Sequence, residues 1–368
     1  MKKVLSALVV FGLVAGISSA DNPKPALGKE EPAKKVSPPV SLKAGDRAPA
    51  LKASKWLQGR PVSEFKSGNV YVIEFWATWC GPCIASMPHT AELYGHYRDK
   101  GVTIVAFTTQ DPNNTLDNAA AFVKKRGAKL PFNFAYSDDK ATFDAWMTAA
   151  GRAGIPCAFV VDRGGRIAYI GHPMYLGVAL PKAVADNATP QTVSAEMRKV
   201  EEEFREAAVW RDRKEMLQSL AHFEAKYPAM ANIPPWIRTK LSFLPKYGKP
   251  GEAKQFAEAI IAKGIEQGDP VTLGMVSGIL RSGDGKESKE LLSVALKAAE
   301  AELLIAGGKD AGALLNLAET YFAIGDKTHA REYALQAIAA ASEEPAALKE
   351  SIEKGAKTLV DEGEQQKK

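Results

Sequence analysis

Tyr71-Val72-Ile73-Glu74-Phe75-Trp76-Ala77-Thr78-Trp79-Cys80-Gly81-Pro82-Cys83 carries an apolar, β-branched run directly into a Cys-x-x-Cys pair framed by aromatics. The run from Tyr71 to Phe75 reads as a buried strand, and a cysteine pair where that strand gives way to a helical pattern reads as a redox dithiol. Such a centre needs one exposed thiolate that attacks a disulfide and a second thiol near enough to resolve the mixed disulfide. A helix N-terminus meets both needs. Its unpaired amides and positive dipole end stabilise the thiolate of Cys80, while Cys83, nearly one turn later, faces the same way in a more buried place. Cys80 is therefore the expected nucleophile and Cys83 the expected resolving thiol. Gly81-Pro82 shapes the first turn, where the missing N–H of Pro82 is no loss.

The same pair also fits half of a zinc site, which would want a second pair of ligands. Only Cys157 remains, and the five histidines, His89, His96, His172, His222 and His329, are scattered without ligand spacing. No metal or separate cofactor is expected; the Cys80–Cys83 dithiol is itself the redox group.

At 368 residues the chain exceeds what one compact domain usually needs, so two domains are expected. A formal charge of +5, partly due to Lys2, Lys3, Lys367 and Lys368, gives no support for a nucleic-acid partner. Residues 1–20 combine Lys2-Lys3, an apolar run from Val4 to Val14 and Ser18-Ser19-Ala20, the three parts of a secretory signal cleaved after Ala20. A retained membrane anchor is the alternative, but the run is short for a bilayer span and is followed by Asp21-Asn22-Pro23-Lys24-Pro25. The expected location is periplasmic or secreted, where disulfides form and a dithiol is maintained by a partner. Residues 21–39, rich in Pro, Lys, Glu and Ala, read as a flexible tether.

Residues 40–186 alternate between strand-like and helix-like segments, the sign of an α/β domain. Strands are predicted at Tyr71–Phe75, Val102–Thr108, Ala158–Val161 and Arg166–Ile170, the last two joined by the turn Asp162-Arg163-Gly164-Gly165. Helices are predicted from Cys80, with Pro88 bending the first, over Asn118–Arg126 and over Lys140–Ala150. The order is β, α, β, α, α, β, β.

Glu74-Phe75-Trp76-Ala77-Thr78-Trp79-Cys80-Gly81-Pro82-Cys83, then Gly154-Ile155-Pro156, then Ala158-Phe159-Val160-Val161-Asp162 and Gly165-Arg166-Ile167 occur in the order seen in a known group. Over these residues the chain resembles the TlpA/ResA-type thiol-disulfide oxidoreductases, exported, redoxin-like members of the thioredoxin superfamily. The resemblance implies a thioredoxin-like fold, a central mixed sheet flanked by helices. It makes Pro156 the cis-proline that packs against the dithiol, and the backbone of Ile155 the partner of an incoming peptide, bonded like an added strand. It also places Glu74, six residues before Cys80, where the family keeps a buried acid behind the resolving thiol. Burial would raise that carboxyl into the range a general base needs; an edge or surface glutamate is the alternative. Expected substrates are protein disulfides or thiols, and the expected electron donor is a membrane thiol reductant.

Trp79, beside Cys80, is expected on a hydrophobic surface that receives substrate, together with Pro82 and Ile155, whereas Trp76 fits the core equally well. Cys157 departs from the family's pattern of a small hydroxyl residue after the cis-proline. It reads first as a small buried thiol, and second as a third reactive thiol or a soft-metal contact beside Cys80, to which His172 would belong.

Beyond Thr189 strand signals vanish, and residues 190–368 read as an all-α domain. Leu314, Leu317, Ala318, Tyr321, Gly325-Asp326, Ala330 and Ala337 resemble a tetratricopeptide unit, with weaker copies centred on Ala253 and Ser288. The intervals, 35 (288 − 253) and 42 (330 − 288), lie near the ~34-residue period. Such arrays bind extended peptide or protein segments on a concave face; a helical lid on the redox domain is the alternative.

The residues thus favour an exported thiol-disulfide oxidoreductase, and the Gly-Pro pair favours reductase over oxidase or isomerase. A thiol peroxidase would want Pro-x-x-x-Thr-x-x-Cys, and Thr78 stands one residue too close to Cys80. A non-enzymatic scaffold binding metal or protein is the third class.

Overall fold

The strand that runs into the cysteines occupies the middle of the sheet. The computed structural model describes residues 41–208, 213–231, 233–249, 251–344 and 346–364. Among these residues six strands, β1 (Lys55–Gln58), β2 (Val70–Phe75), β3 (Val102–Thr109), β4 (Asn133–Ser137), β5 (Cys157–Val161) and β6 (Ile167–Gly171), lie in the order β1-β4-β3-β2-β5-β6. The pairs β2/β3 and β3/β4 are parallel; β2/β5, β5/β6 and β1/β4 are antiparallel. Every residue of β2 is buried, which explains why its sequence is almost continuously apolar rather than alternating. Val70, Val72 and Glu74 point to one face of the sheet; Tyr71, Ile73 and Phe75 point to the other.

Helix α1 (Gly81–Tyr97) follows β2, α2 (Leu116–Arg126) follows β3, and α4 (Leu176–Ala183) follows β6. Between β4 and β5 the chain forms only a short α3 (Ala141–Phe143), continued by a wide π-helical turn, Asp144–Thr148, in place of the single helix expected over Lys140–Ala150. Pro88 lies inside α1, which continues through it.

Strand β4 corrects the predicted element order, since it stands between two helices expected in succession. Asn133-Phe134-Ala135-Tyr136-Ser137 is fully buried although both its ends are polar. Asn133 is satisfied from far away: its amide donates to the carbonyl of Ile104 (3.0 Å) and its oxygen accepts from the backbone N–H of Arg60 (2.8 Å). Those long-range bonds permit a buried asparagine in a strand, and no local pattern announces them. Strand β1, four residues at the sheet edge, was likewise not predicted.

Among the described residues nine helices follow: α5 (Pro190–Ala208), α6 (Arg213–Lys226), α7 (Pro234–Tyr247), α8 (Glu252–Gln267), α9 (Pro270–Ser282), α10 (Lys289–Ile305), α11 (Ala311–Ala323), α12 (Lys327–Ala340) and α13 (Ala346–Glu364). Proline opens α5, α7 and α9, where its missing N–H is no loss. The side chains of Asp269, Ser288, Asp310 and Asp326 cap α9 to α12 by accepting first-turn amide protons. The starts of α8, α10 and α12 are 37 (289 − 252) and 38 (327 − 289) residues apart. Small buried residues, among them Ala318, Ala330, Ala334 and Ala337, let these helices approach closely.

The sheet has a core on each face. Tyr71, Ile73, Phe75, Phe107, Trp146 and Phe159 fill one. On the other, Val72, Trp76, Cys83 and Met87 belong to a cluster that continues without a break through Met174 and Leu176 to Val193, Met197, Phe223 and Trp236. Helices α5 to α7 therefore complete the core of the face that carries α1. At the far end of α1, Glu92 pairs with Lys263 (3.2 Å) and accepts from Gln267 (3.0 Å), both on α8. The expected secretory signal and tether lie outside the described residues. Among the described residues, no helix is long and apolar enough to cross a membrane.

Candidate active site

The approach to the cysteines is pinned by a buried polar knot. Thr108, near the end of β3, donates to the carbonyl of Trp76 (2.6 Å). Asn114 accepts from the backbone N–H of Thr78 (2.9 Å) and donates to Thr108 Oγ1 and to the carbonyl of Thr109 (both 2.8 Å). Thr108 and Asn114 were missed by sequence reasoning; the turn-forming stretch Asp111-Pro112-Asn113-Asn114 was the available signal.

Cys80 is the N-cap of α1, and its Sγ accepts from the backbone N–H of Cys83 at 3.2 Å. The two sulfurs form a disulfide. Cys80 is 4% exposed and Cys83 is 0% exposed, so in this oxidised state Cys80 is far less open than the thiolate reading of the sequence expected. Pro82 is exposed in the first turn. The Ile155–Pro156 bond is cis and leads into β5, whose Cys157 pairs with Phe75 at the end of β2.

Trp79 is 56% exposed, and its indole Nε1 donates to Asp111 at 2.9 Å. That bond holds a large apolar ring at the surface beside the disulfide. Trp79, Trp76, Asp111, Lys140, Phe143 and Ile155 line a cavity of about 170 Å³. Of the residues singled out as a receiving surface, Trp79 and Ile155 thus share one cavity with Trp76, whose side chain is otherwise core.

Glu74 points toward α1 and is fully buried. Ser86 Oγ donates to one carboxyl oxygen (3.0 Å) and Thr90 Oγ1 to the other (3.2 Å). Burial pushes the carboxyl up from 4.5 to about 7, against the opposing pull of the two hydroxyl bonds. Its influence on stability has a definite sign. With the folded value above the unfolded one, the contribution is fully present below about pH 4.5 and is lost as pH rises through about 7. The rise corresponds to about 3 kcal/mol. Glu74→Gln, which cannot ionise, should therefore gain about 3 kcal/mol relative to the parent protein between acid and alkaline pH. Urea unfolding of both proteins at about pH 4.5 and pH 8 measures this; an equal difference at both would contradict the assignment.

Cys157 lies with Phe75, Trp146 and Phe159 in the core of the face opposite α1, and burial pushes its thiol up to about 12. Its surroundings are those of a packed, neutral thiol. His172 caps the turn Pro173–Tyr175 by accepting from the N–H of Met174 (3.1 Å), and burial holds its imidazole below the usual range. Among the described residues, no three His, Cys, Asp or Glu side chains converge as metal ligands.

The Redoxin family model matches residues 43–180. The chain is 33% identical over 151 residues to Protein FixW from Rhizobium leguminosarum, a match covering 40% of this chain and 68% of FixW. It is 30% identical over 166 residues to the thiol-disulfide oxidoreductase ResA of Bacillus cereus, covering 45% of this chain and 79% of ResA. Among solved structures, a putative thiol:disulfide interchange protein DsbE from Chlorobium tepidum aligns with 27% identity and a TM-score of 0.32, over 39% of this chain and all of that one.

Proposed function

This chain belongs to the TlpA/ResA-type thiol-disulfide oxidoreductases of the thioredoxin superfamily, and from that membership we propose that it is an exported reductase of protein disulfides. The observation that carries the reading is the cysteine pair at the N-terminus of α1, with the buried Glu74 behind it and the exposed Trp79 in front.

The reduced protein presents the thiolate of Cys80, stabilised by the first-turn amides. It attacks one sulfur of a substrate disulfide, forms a mixed disulfide and releases the first substrate thiolate. Cys83 gives its proton to Glu74 and attacks the Cys80 sulfur, and the second substrate thiolate leaves. Two electrons pass to the substrate, and the protein is left with a Cys80–Cys83 disulfide. A thiol donor in the membrane reduces it again. Trp79, Pro82 and the cis-Pro156 loop hold the substrate chain, the backbone of Ile155 bonding it as an added strand. Glu74→Gln should slow the second step by about a hundredfold and leave the first unchanged, read as decay of a trapped mixed disulfide.

Export is inferred from the signal-like composition of residues 1–20. The division into a redox domain, residues 40–186, and a helical domain, residues 190–368, belongs to the same reading. In it, the helical domain recruits substrate or partner by binding an extended segment, in the manner of a degenerate tetratricopeptide array. The direction of electron flow is inferred from Gly81-Pro82. Equilibration of the Cys80/Cys83 pair in glutathione or dithiothreitol buffers, read by Trp76 and Trp79 fluorescence, tests it. The expected potential is near −270 mV, that of thioredoxin; a value of about −180 to −120 mV would assign an isomerase or oxidase instead.

A further inference from the structure

Ser86 and Thr90 stand one turn apart on α1, both buried, and each hydroxyl has two acceptors in reach but only one proton to give. Ser86 Oγ lies 3.0 Å from Glu74 Oε1 and 2.8 Å from the carbonyl oxygen of Cys83. Thr90 Oγ1 lies 3.2 Å from Glu74 Oε2 and 3.2 Å from the carbonyl oxygen of Ser86. We propose that Ser86 is a positioning residue whose single hydroxyl proton turns between Glu74 and the carbonyl oxygen of Cys83, so that the ionisation of Glu74 is passed to the backbone of the resolving cysteine. This rests on the proton-accepting role given to Glu74 above.

The proton count dictates the switch. An ionised carboxylate only accepts, so both hydroxyls turn toward it. Once Glu74 takes a proton, that buried proton needs an acceptor, and the carboxyl oxygens meet the hydroxyls of Ser86 and Thr90. From α1 only Ser86 and Thr90 bond the carboxyl; β3 and β5 place Ala106 and Ala158 in register with Glu74, and Cys157 beside Ala158 is a neutral thiol. When the Glu74 proton is donated to Ser86 Oγ, the Ser86 proton leaves Oε1 and finds the Cys83 carbonyl. No buried group is left unpaired in either state. No proton is gained or lost by Ser86, which only reorients. Thr90 can turn likewise, but its second acceptor is the Ser86 carbonyl and it does not reach the dithiol segment.

The full-length oxidised protein, labelled with carbon-13 at the Glu74 carboxyl and the Cys83 carbonyl, tests this by NMR between about pH 5 and pH 9. In the parent protein both carbons should titrate with one midpoint. In Ser86→Ala the Glu74 midpoint should rise by about one pH unit, since a hydrogen bond to the charged form is lost, and the Cys83 carbonyl should stop responding. Thr90→Val should raise the midpoint while leaving the Cys83 response in place. Ser86→Thr should restore the coupled titration, which a role in packing alone would not. A Cys83 carbonyl that is flat in the parent protein, or that still follows Glu74 in Ser86→Ala, overturns the relay. Because no substrate is present, these results stand apart from the oxidoreductase reading. Mixed-disulfide decay unchanged in Glu74→Gln, with the coupled titration intact, would remove only the base role of Glu74.

Discussion

Cys80→Ser should lose disulfide exchange by at least about a thousandfold, because a serine hydroxyl has no adjacent base here and is not ionised by a helix N-terminus alone. Cys83→Ser should behave differently. It retains the attacking thiol, so it should form a mixed disulfide with substrate and stop there. Non-reducing electrophoresis after rapid acid or alkylating quench separates the two: an adduct with Cys83→Ser and none with Cys80→Ser. The order follows from geometry. Cys80 caps the helix and keeps the only exposed area of the pair, while Cys83 has none and sits over the core. An adduct held on Cys83 in the Cys80→Ser protein would reverse the roles.

Trp236→Ala should destabilise the protein by about 3–5 kcal/mol, the usual range for deleting a fully buried indole. Trp236 packs against Phe204 and Phe223, with ring centroids 5.7 Å and 5.1 Å away, and its Nε1 donates to Glu224. These residues lie far along the chain from the dithiol yet share a cluster with Trp76 and Cys83. Denaturant unfolding should therefore show one transition in both proteins, with tryptophan fluorescence and helical circular dichroism moving together and the midpoint lowered by the substitution. Two separated transitions, with the helices melting first and the dithiol still active, would mean that the face under α1 is stable without α5 to α7.

The parts of the fold that were legible are those whose cause is local. The buried strand before Cys80, the helix it opens, the hairpin Ala158–Ile170 and the loss of strand signals after Thr189 all follow from periodicity and turn chemistry. Cys80, Cys83 and Trp79 could be singled out for the same reason: each belongs to one short contiguous stretch. Strand β4 stayed hidden because Asn133 is satisfied by Ile104 and Arg60, distant in sequence. The knot of Thr108 and Asn114 behind Trp76 was hidden likewise. The partners of Glu74 could not be read either, since Ser86 and Thr90 look like ordinary small helix residues until the strand is laid beneath them. The shared core was anticipated only as the alternative of a helical lid on the redox domain, since an all-helical composition says nothing of which earlier surface the helices cover.

That shared core also sets a timetable. In a chain that emerges N-terminus first, Cys83 precedes Met197 by 114 residues (197 − 83) and Trp236 by 153 (236 − 83). At a synthesis rate of about 5–20 residues per second, the second gap is a delay of roughly 8–30 s. Throughout it, the sheet face beneath α1 lacks part of its cover, and from the making of Cys157, 74 residues after Cys83 (157 − 83), Cys80, Cys83 and Cys157 are all newly made thiols. The choice of which two of them pair stays open until the sheet has formed, because it is the sheet that sets Cys157 on the face opposite Cys80 and Cys83. Helices α5 to α7 are the last pieces of a hydrophobic seal whose first pieces carry the chemistry.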